Sequence, residues 1–254
     1  MSDAFADIEV RRELACCIVT LNRPSVHNAI SLRMMDELSA ALAAAEREPS
    51  CVCLVITGAG AKTFCAGGDL TEFAALRTRE AAEAMSLKLQ ELSRALRRSH
   101  LIIITALNGD AYGGGVEFAL AADIRVAVEN ARLAFFQVTL GVTPAWRGIA
   151  RALQQMPRST AMLLCLGGEK VDARTALRYG LIDTIAPPGQ ALEAALAIAQ
   201  RIASHPPLAV RTIKAMIDAP RGDDDENLRE EAEAFSAAWV SDDHWKAVAA
   251  RKRR

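Results

Sequence analysis

Apolar positions along the chain alternate between short solid runs and helical stripes. Residues 15–21 (ACCIVTL) are apolar and β-branched, then break at Asn22-Arg23-Pro24, which predicts a strand leaving into a turn. Ser31 stands as a helix N-cap before Leu32, Met35, Leu38 and Leu42, spaced three and four apart, and Glu48-Pro49 closes that helix. Residues 51–57 (CVCLVIT), 101–107 (LIIITAL) and 124–128 (IRVAV) predict three further buried strands. Between them, residues 80–98 carry Met85, Leu89, Leu92 and Leu96 on one helical side, and a short apolar helix covers about 116–122. Past Pro144 the pattern turns helical. Asp172 caps a helix ending at Tyr179-Gly180, with further helices expected over 190–204, 207–218 and 222–240. Strands alternating with helices imply an α/β chain with crossover connections, followed by a helical C-terminal region.

Composition narrows this picture. The chain has 254 residues, 51% apolar but only 5% aromatic, so its core is built mainly from Leu, Ala, Val and Ile. Net charge is −1, from 30 basic and 31 acidic residues, which gives no electrostatic reason to expect nucleic acid or an anionic membrane as partner. No apolar run approaches the roughly 18 residues of a bilayer span. Residues 1–7 lack the basic and apolar regions of a secretory signal, and the terminal Arg251-Lys252-Arg253-Arg254 is not a peroxisomal address, so a cytoplasmic protein is expected. Cys16, Cys17, Cys51, Cys53, Cys65 and Cys165 form no Cys-x-x-Cys pair and are expected as reduced, buried thiols. The four histidines show no ligand spacing, so no metal is expected. The acidic run Asp223–Glu226 suits a helix N-terminus. The basic tail suits a helix C-terminus, or reaches phosphates on a neighbouring subunit's ligand.

Two glycine-rich segments carry the candidate chemistry: Phe64-Cys65-Ala66-Gly67-Gly68-Asp69-Leu70 and Gly113-Gly114-Gly115-Val116-Glu117-Phe118. Both follow a predicted strand. Glycine permits unusual φ and close approach of a ligand to backbone. Glycines opening a short helix leave N–H groups unpaired at its positive end, where an anion is stabilised. One N–H from each segment aimed at a single point makes an oxyanion hole. Tight turns between buried elements explain the same glycines equally well. The dinucleotide motif fails because Thr63 stands where a third glycine is needed after Gly58-Ala59-Gly60, and neither a P-loop nor a G-x-S-x-G elbow is present.

Residues 104–124 (ITALNGDAYGGGVEFALAADI) resemble the signature of the crotonase (enoyl-CoA hydratase/isomerase) superfamily. Collinear resemblances follow at Asn22–Ala29, at Phe64–Leu70, at Gly168–Ala173 with Tyr179–Ile182, and at His205–Ala209, together covering about residues 8–250. The resemblance implies a spiral of strand-strand-helix units, with residues 1–190 as the acyl-CoA-binding core and 191–254 as a helical trimerisation region. It implies an acyl-CoA substrate, an enolate-like intermediate, no further cofactor, and a homotrimer or dimer of trimers. Gly68 and Gly114 then supply the donors to the thioester oxygen, and Glu117, on the first turn of its helix among Val116 and Phe118, is the acid/base. Arg23, Val26, Asn28, Lys62, Ala66, Gly67, Asp69, Leu70, Tyr112 and Gly113 are the expected substrate-binding residues, with Asp69 able to serve backbone instead.

One departure changes the expected reaction. Family hydratases carry a second glutamate four residues before a glycine, and the matching position before Gly141 holds Gln137. An amide orients water or substrate but moves no proton at neutral pH. Two-glutamate hydration is therefore not expected, although Gln137 stays a candidate site residue. The family's Gly-Ala-Gly-Gly segment is altered to Ala145-Trp146-Arg147-Gly148, where Trp146 either lines an acyl pocket and restricts chain length or is simply packed. The segments GGGVEF and LGVTPAW also resemble acyl-CoA decarboxylases of the superfamily, of the methylmalonyl/ethylmalonyl type, which need no hydration pair. A noncatalytic acyl-CoA-binding or RNA-binding relative is the remaining alternative; retention of Glu117 speaks against it.

Overall fold

The computed structural model describes residues 5–219. The helix expected at 222–240, the acidic run and the basic tail lie outside the described residues. In chain order the elements are β1 (Ile8–Glu13), β2 (Cys16–Leu21), α1 (Leu32–Glu46), β3 (Cys53–Gly58), β4 (Thr63–Cys65), α2 (Leu70–Phe73), α3 (Arg79–Arg98), β5 (Ile102–Leu107), β6 (Asp110–Tyr112), α4 (Gly114–Ala119), β7 (Ile124–Val128), β8 (Arg132–Ala134), α5 (Gly148–Gln155), α6 (Arg158–Gly167), β9 (Val171–Asp172), α7 (Ala173–Tyr179), β10 (Thr184–Ala186), α8 (Ala191–Ala203) and α9 (Pro207–Asp218). Residues up to Ala199 form one compact unit, and those from Gln200 belong to a second.

Two sheets organise the first unit. The larger runs β1-β2-β3-β5-β7-β10, antiparallel only at β1–β2; the smaller runs β4-β6-β8-β9. The chain repeats one step. A long strand enters the large sheet (β3, β5, β7), a short strand enters the small one (β4, β6, β8), and a helix follows. This is the spiral of strand-strand-helix units that the resemblance implies. Its register puts the turns after β4 and β6 side by side, because β4 and β6 are parallel neighbours.

Local sequence explains the elements. Ser31 caps α1 by accepting from the Met34 N–H at 2.9 Å, and Met34, Met35, Leu38, Ala41, Leu42 and Ala45 form its buried face. Every residue of β3 and β5 is buried, as expected of central parallel strands. Thr78 caps α3, and Leu89, Leu92 and Leu96 bury its inner side. Asp172 accepts from the Thr175 N–H at 2.8 Å, and Gly180 ends α7 at φ +78°.

Some boundaries differ from the sequence pattern. β1 shows no alternation because only Ile8 is buried along it; it is a polar edge strand. The short helix begins at Gly114 and ends at Ala119 rather than covering 116–122, so Glu117 remains in its first turn. α1 stops at Glu46, with Arg47 rather than Glu48-Pro49 as its end.

Candidate active site

The first glycine turn joins β4 to α2. Gly67 has φ +103°, a conformation that L side chains rarely adopt. The Ile30 N–H donates to Gly67 O at 2.8 Å and the Asp69 N–H to Ile30 O at 3.0 Å, which fixes Gly68 between them. Asp69 then caps α2, accepting from the N–H groups of Thr71 (3.1 Å) and Glu72 (3.2 Å). Its other oxygen pairs with Arg23 Nη2 at 2.8 Å. Burial works to raise the Asp69 carboxyl, but the Glu72 N–H and the Arg23 guanidinium outweigh it and hold the group below its ordinary range.

Two of the expected binding residues are occupied in holding this turn. Arg23 also approaches Asp7 at 3.5 Å and donates to Ala29 O at 2.8 Å. Asn28, fully buried, accepts from the Arg23 N–H and donates to Ala59 O and Thr63 O, tying three loops together. Asp7 behaves like Asp69: burial pushes it up, while Arg33, Ser31 and Arg23 together bring it below the usual carboxylate range.

The second turn joins β6 to α4. The Gly113 N–H donates to Ala134 O at 2.8 Å, and Gly113 has φ +53°. The two turns touch through bare backbone. A Cβ on Gly67 would stand 3.1 Å from Gly114 N, and one on Gly115 would collide with Cys65 O. Among the described residues, no acceptor takes the N–H of Gly68 or of Gly114. Over both lies the Trp146 indole. A Cβ on Gly114 would overlap ring atoms Cζ3 and Cη2, and one on Gly68 would meet Cη2 at 3.2 Å. The Phe73 ring crowds the same position on Gly68 and would collide with that Cβ. Phe73 carried no signal in the sequence.

Glu117 is 1% exposed, and its carboxylate is surrounded by donors. Oε2 accepts from the N–H groups of Trp146 and Gly148, both at 2.8 Å. Oε1 accepts from Gln137 Nε2 at 2.7 Å and, at 3.4 Å, from the Ala145 N–H. Burial nonetheless prevails and raises the carboxyl above its ordinary value. Gln137 is buried too. Its Oε1 has no partner among the described residues, and its amide lies 3.9 Å from where a Cβ on Gly113 would be. The main chain of residues 145–148 thus belongs to the site, in the stretch where the family's Gly-Ala-Gly-Gly segment is altered.

The enoyl-CoA hydratase/isomerase family model matches residues 11–252. The chain belongs to the enoyl-CoA hydratase/isomerase family. It is an acyl-CoA enzyme of that lyase or isomerase kind. Similar proteins include the short-chain-enoyl-CoA hydratase of Clostridium acetobutylicum, 32% identical over 96% of this chain and 94% of that one. The 2,3-dehydroadipyl-CoA hydratase of Escherichia coli is 35% identical over 83% and 81%. The crystal structure of an enoyl-CoA hydratase from Bacillus anthracis superposes with a TM-score of 0.93 at 31% identity, over 98% of this chain and 96% of that one.

The remaining candidate residues sit around this centre in this family member. Tyr112 donates to Asp110 at 2.6 Å, stacks on Phe136 at 5.0 Å and carries Lys170 Nζ 4.9 Å above its ring. The Ala66 N–H donates to His27 O. Val26, Lys62 and Leu70 are exposed, with no part in the inner cluster. Among the described residues, no group of three or more His, Cys, Asp or Glu is placed to hold a metal, and no helix is long and apolar enough to cross a membrane.

Proposed function

We propose that the enzyme binds an acyl-CoA thioester with its carbonyl oxygen on the N–H groups of Gly68 and Gly114, and stabilises the enolate formed there. The observation that carries this reading is the pair itself: two main-chain donors from separate turns, brought together and free of any acceptor among the described residues. Donors fixed before charge develops need no reorganisation, and each is worth about 100- to 1,000-fold in rate.

Glu117 is the proton carrier. Its raised carboxyl suits transfer near neutral pH. Oε2 is taken by two main-chain N–H groups, whereas Oε1 is held chiefly by a side-chain amide that can turn aside, so Oε1 is the oxygen that exchanges a proton with carbon. One carboxyl is enough for isomerisation. It removes a proton from C2 of a 3-enoyl thioester, the charge passes to the thioester oxygen, and the same proton returns at C4. Hydration needs a second group to handle water. The relatives named above are hydratases, but Gln137 makes isomerisation the better reading here. Its free Oε1 orients substrate or water by accepting a hydrogen bond.

Decarboxylation is the second reading, favoured by the donors that already engage both Glu117 oxygens. Loss of carbon dioxide gives the same enolate without a base. In either case coenzyme A enters as part of the substrate and no other cofactor is used. Exposed Val26 and Leu70 line the coenzyme side and Lys62 meets its phosphates. The assembly is a homotrimer or dimer of trimers built through the C-terminal region, in the cytoplasm.

The test is a panel of 2-enoyl-, 3-enoyl-, saturated and malonyl-type CoA esters in deuterated water, read by mass spectrometry. Deuterium entering at the α-carbon, or conversion of the 3-enoyl or malonyl-type ester, supports the enolate reading. A panel returned wholly unexchanged and unconverted overturns it.

A further inference from the structure

The Trp146 indole is packed against the Cα faces of the two glycines whose N–H groups are assigned to the thioester carbonyl. It is 5% exposed and lies against the backbone of both Gly68 and Gly114, while Phe73 flanks Gly68. An acyl plane needs about 3.5 Å between itself and an aromatic ring. An acyl chain that follows a carbonyl onto both N–H groups enters the space beside these Cα atoms, which the ring now fills and leaves by turning. The main chain beside that ring cannot follow, because the N–H groups of Trp146 and Gly148 are pinned to Glu117 Oε2, both at 2.8 Å. Arg147 between them holds a left-handed φ of +71°. The movement is thus a rotation of the Trp146 side chain about a fixed backbone.

We propose that Trp146 is a movable aromatic shield over the Gly68–Gly114 pair and the specificity-determining residue of the site, admitting planar, unbranched acyl groups and refusing thioesters branched at the α-carbon. The proposal rests on the carbonyl position and the isomerase reading given above. When the ring swings aside it still walls the space over the α- and β-carbons. A flat enoyl group or enolate slides beneath an indole face with favourable stacking. A methyl branch at the α-carbon projects out of that plane in the tetrahedral state and meets the ring. Substrate entry also exchanges contact with the ring for contact with the acyl group.

Two measurements test this separately from the enolate reading. The first is deuterium exchange at the α-carbon of straight-chain and α-methyl-branched acyl-CoA esters of equal length. The native chain should favour the straight ester, and Trp146→Ala should shrink that preference tenfold or more, with Trp146→Phe in between. An unchanged preference in a folded Trp146→Ala variant overturns the shield. The second is tryptophan emission on saturation with an acyl-CoA ester. The difference between the native chain and Trp146→Phe isolates Trp146 from Trp239 and Trp245. That difference signal should shift on binding, whether or not the ligand reacts. An emission difference indifferent to bound ligand overturns ring movement, even if Trp146→Ala fails to fold. Where neither ester exchanges, the emission difference alone decides ring movement, and the enolate reading stands or falls by the panel above.

Discussion

Gln137 Nε2 donates to Glu117 Oε1 at 2.7 Å, while Gln137 Oε1 is buried without a partner among the described residues. The amide therefore does two things that a carboxylate at the same place could not. It stabilises the Glu117 anion by donation, and it offers a neutral acceptor to whatever binds. A second carboxylate there would share one proton with Glu117, and the two would titrate as a pair.

Crotonyl-CoA hydration should accordingly be slow in the native chain, and Gln137→Glu should raise it by about tenfold or more, the gain expected of a new general acid/base. Steady-state loss of the enoyl absorbance measures both. Rapid hydration by the native chain would show that one carboxyl suffices.

Replacing Glu117 with Gln should lower thioester turnover by about 100- to 10,000-fold. Acyl-CoA binding, read by calorimetry, should survive. The new amide oxygen can still accept from Trp146 and Gly148, and Gln137 can turn its unpaired Oε1 toward the new amide nitrogen. Turnover equal to the native chain would remove Glu117 from proton transfer.

The same substitution should reveal a pH dependence of stability. The folded chain keeps the Glu117 proton above the pH at which the unfolded chain releases it, because burial raises the folded value. The folded state then binds more protons, so this group's contribution weakens as pH rises from the ordinary carboxyl value, about 4.3, through the raised one. Urea midpoints of the native chain relative to Glu117→Gln should fall across that window. A flat difference would contradict the burial argument.

Arg23→Met should destabilise the fold by about 3 kcal/mol, since it strips a partner from two nearly buried carboxylates, Asp7 and Asp69. Those groups sit below their ordinary range in the folded chain, so their stabilisation is present above the unfolded value and is lost as pH falls through the folded one. Without Arg23 the acid unfolding midpoint should move to higher pH, as circular dichroism would register. An unmoved midpoint would mean that Arg33, Ser31 and the α2 N–H groups suffice.

A Gly114→Ala substitution should lower both thermal stability and activity, because its Cβ overlaps the Trp146 ring. Combined with Trp146→Ala, the loss should be less than additive by about 1 kcal/mol or more, the coupling expected of residues in contact. Strict additivity in thermal or urea unfolding would place the ring elsewhere.

The sequence was most legible where burial is complete. The runs behind β3, β5 and β7, and the stripes of α1 and α3, declared themselves because each buries several apolar side chains at one period. The small sheet did not, since strands of two or three residues such as β9 are too short for any period. β1 was hidden because its Val10, Arg11 and Arg12 face solvent. At the site, the glycine turns were visible through the resemblance, and Trp146 as a residue that either lines a pocket or is packed. The engagement of Arg23 with Asp7 and Asp69 was not visible, because it joins parts of the chain far apart in number. Nor was the cage around Glu117, whose donors are peptide N–H groups that any side chains could carry.

Gly115 against Cys65 and Gly67 against Gly114 leave no room for even a methyl group between the two turns. An engineer seeking a different substrate therefore gains little by editing either turn. The adjustable part of the enzyme is the stretch from Gln137 to Gly148, which reaches over from outside and sets both the proton inventory and the space above the donors. New selectivity can be written into that one segment while the anion cradle is left as it stands.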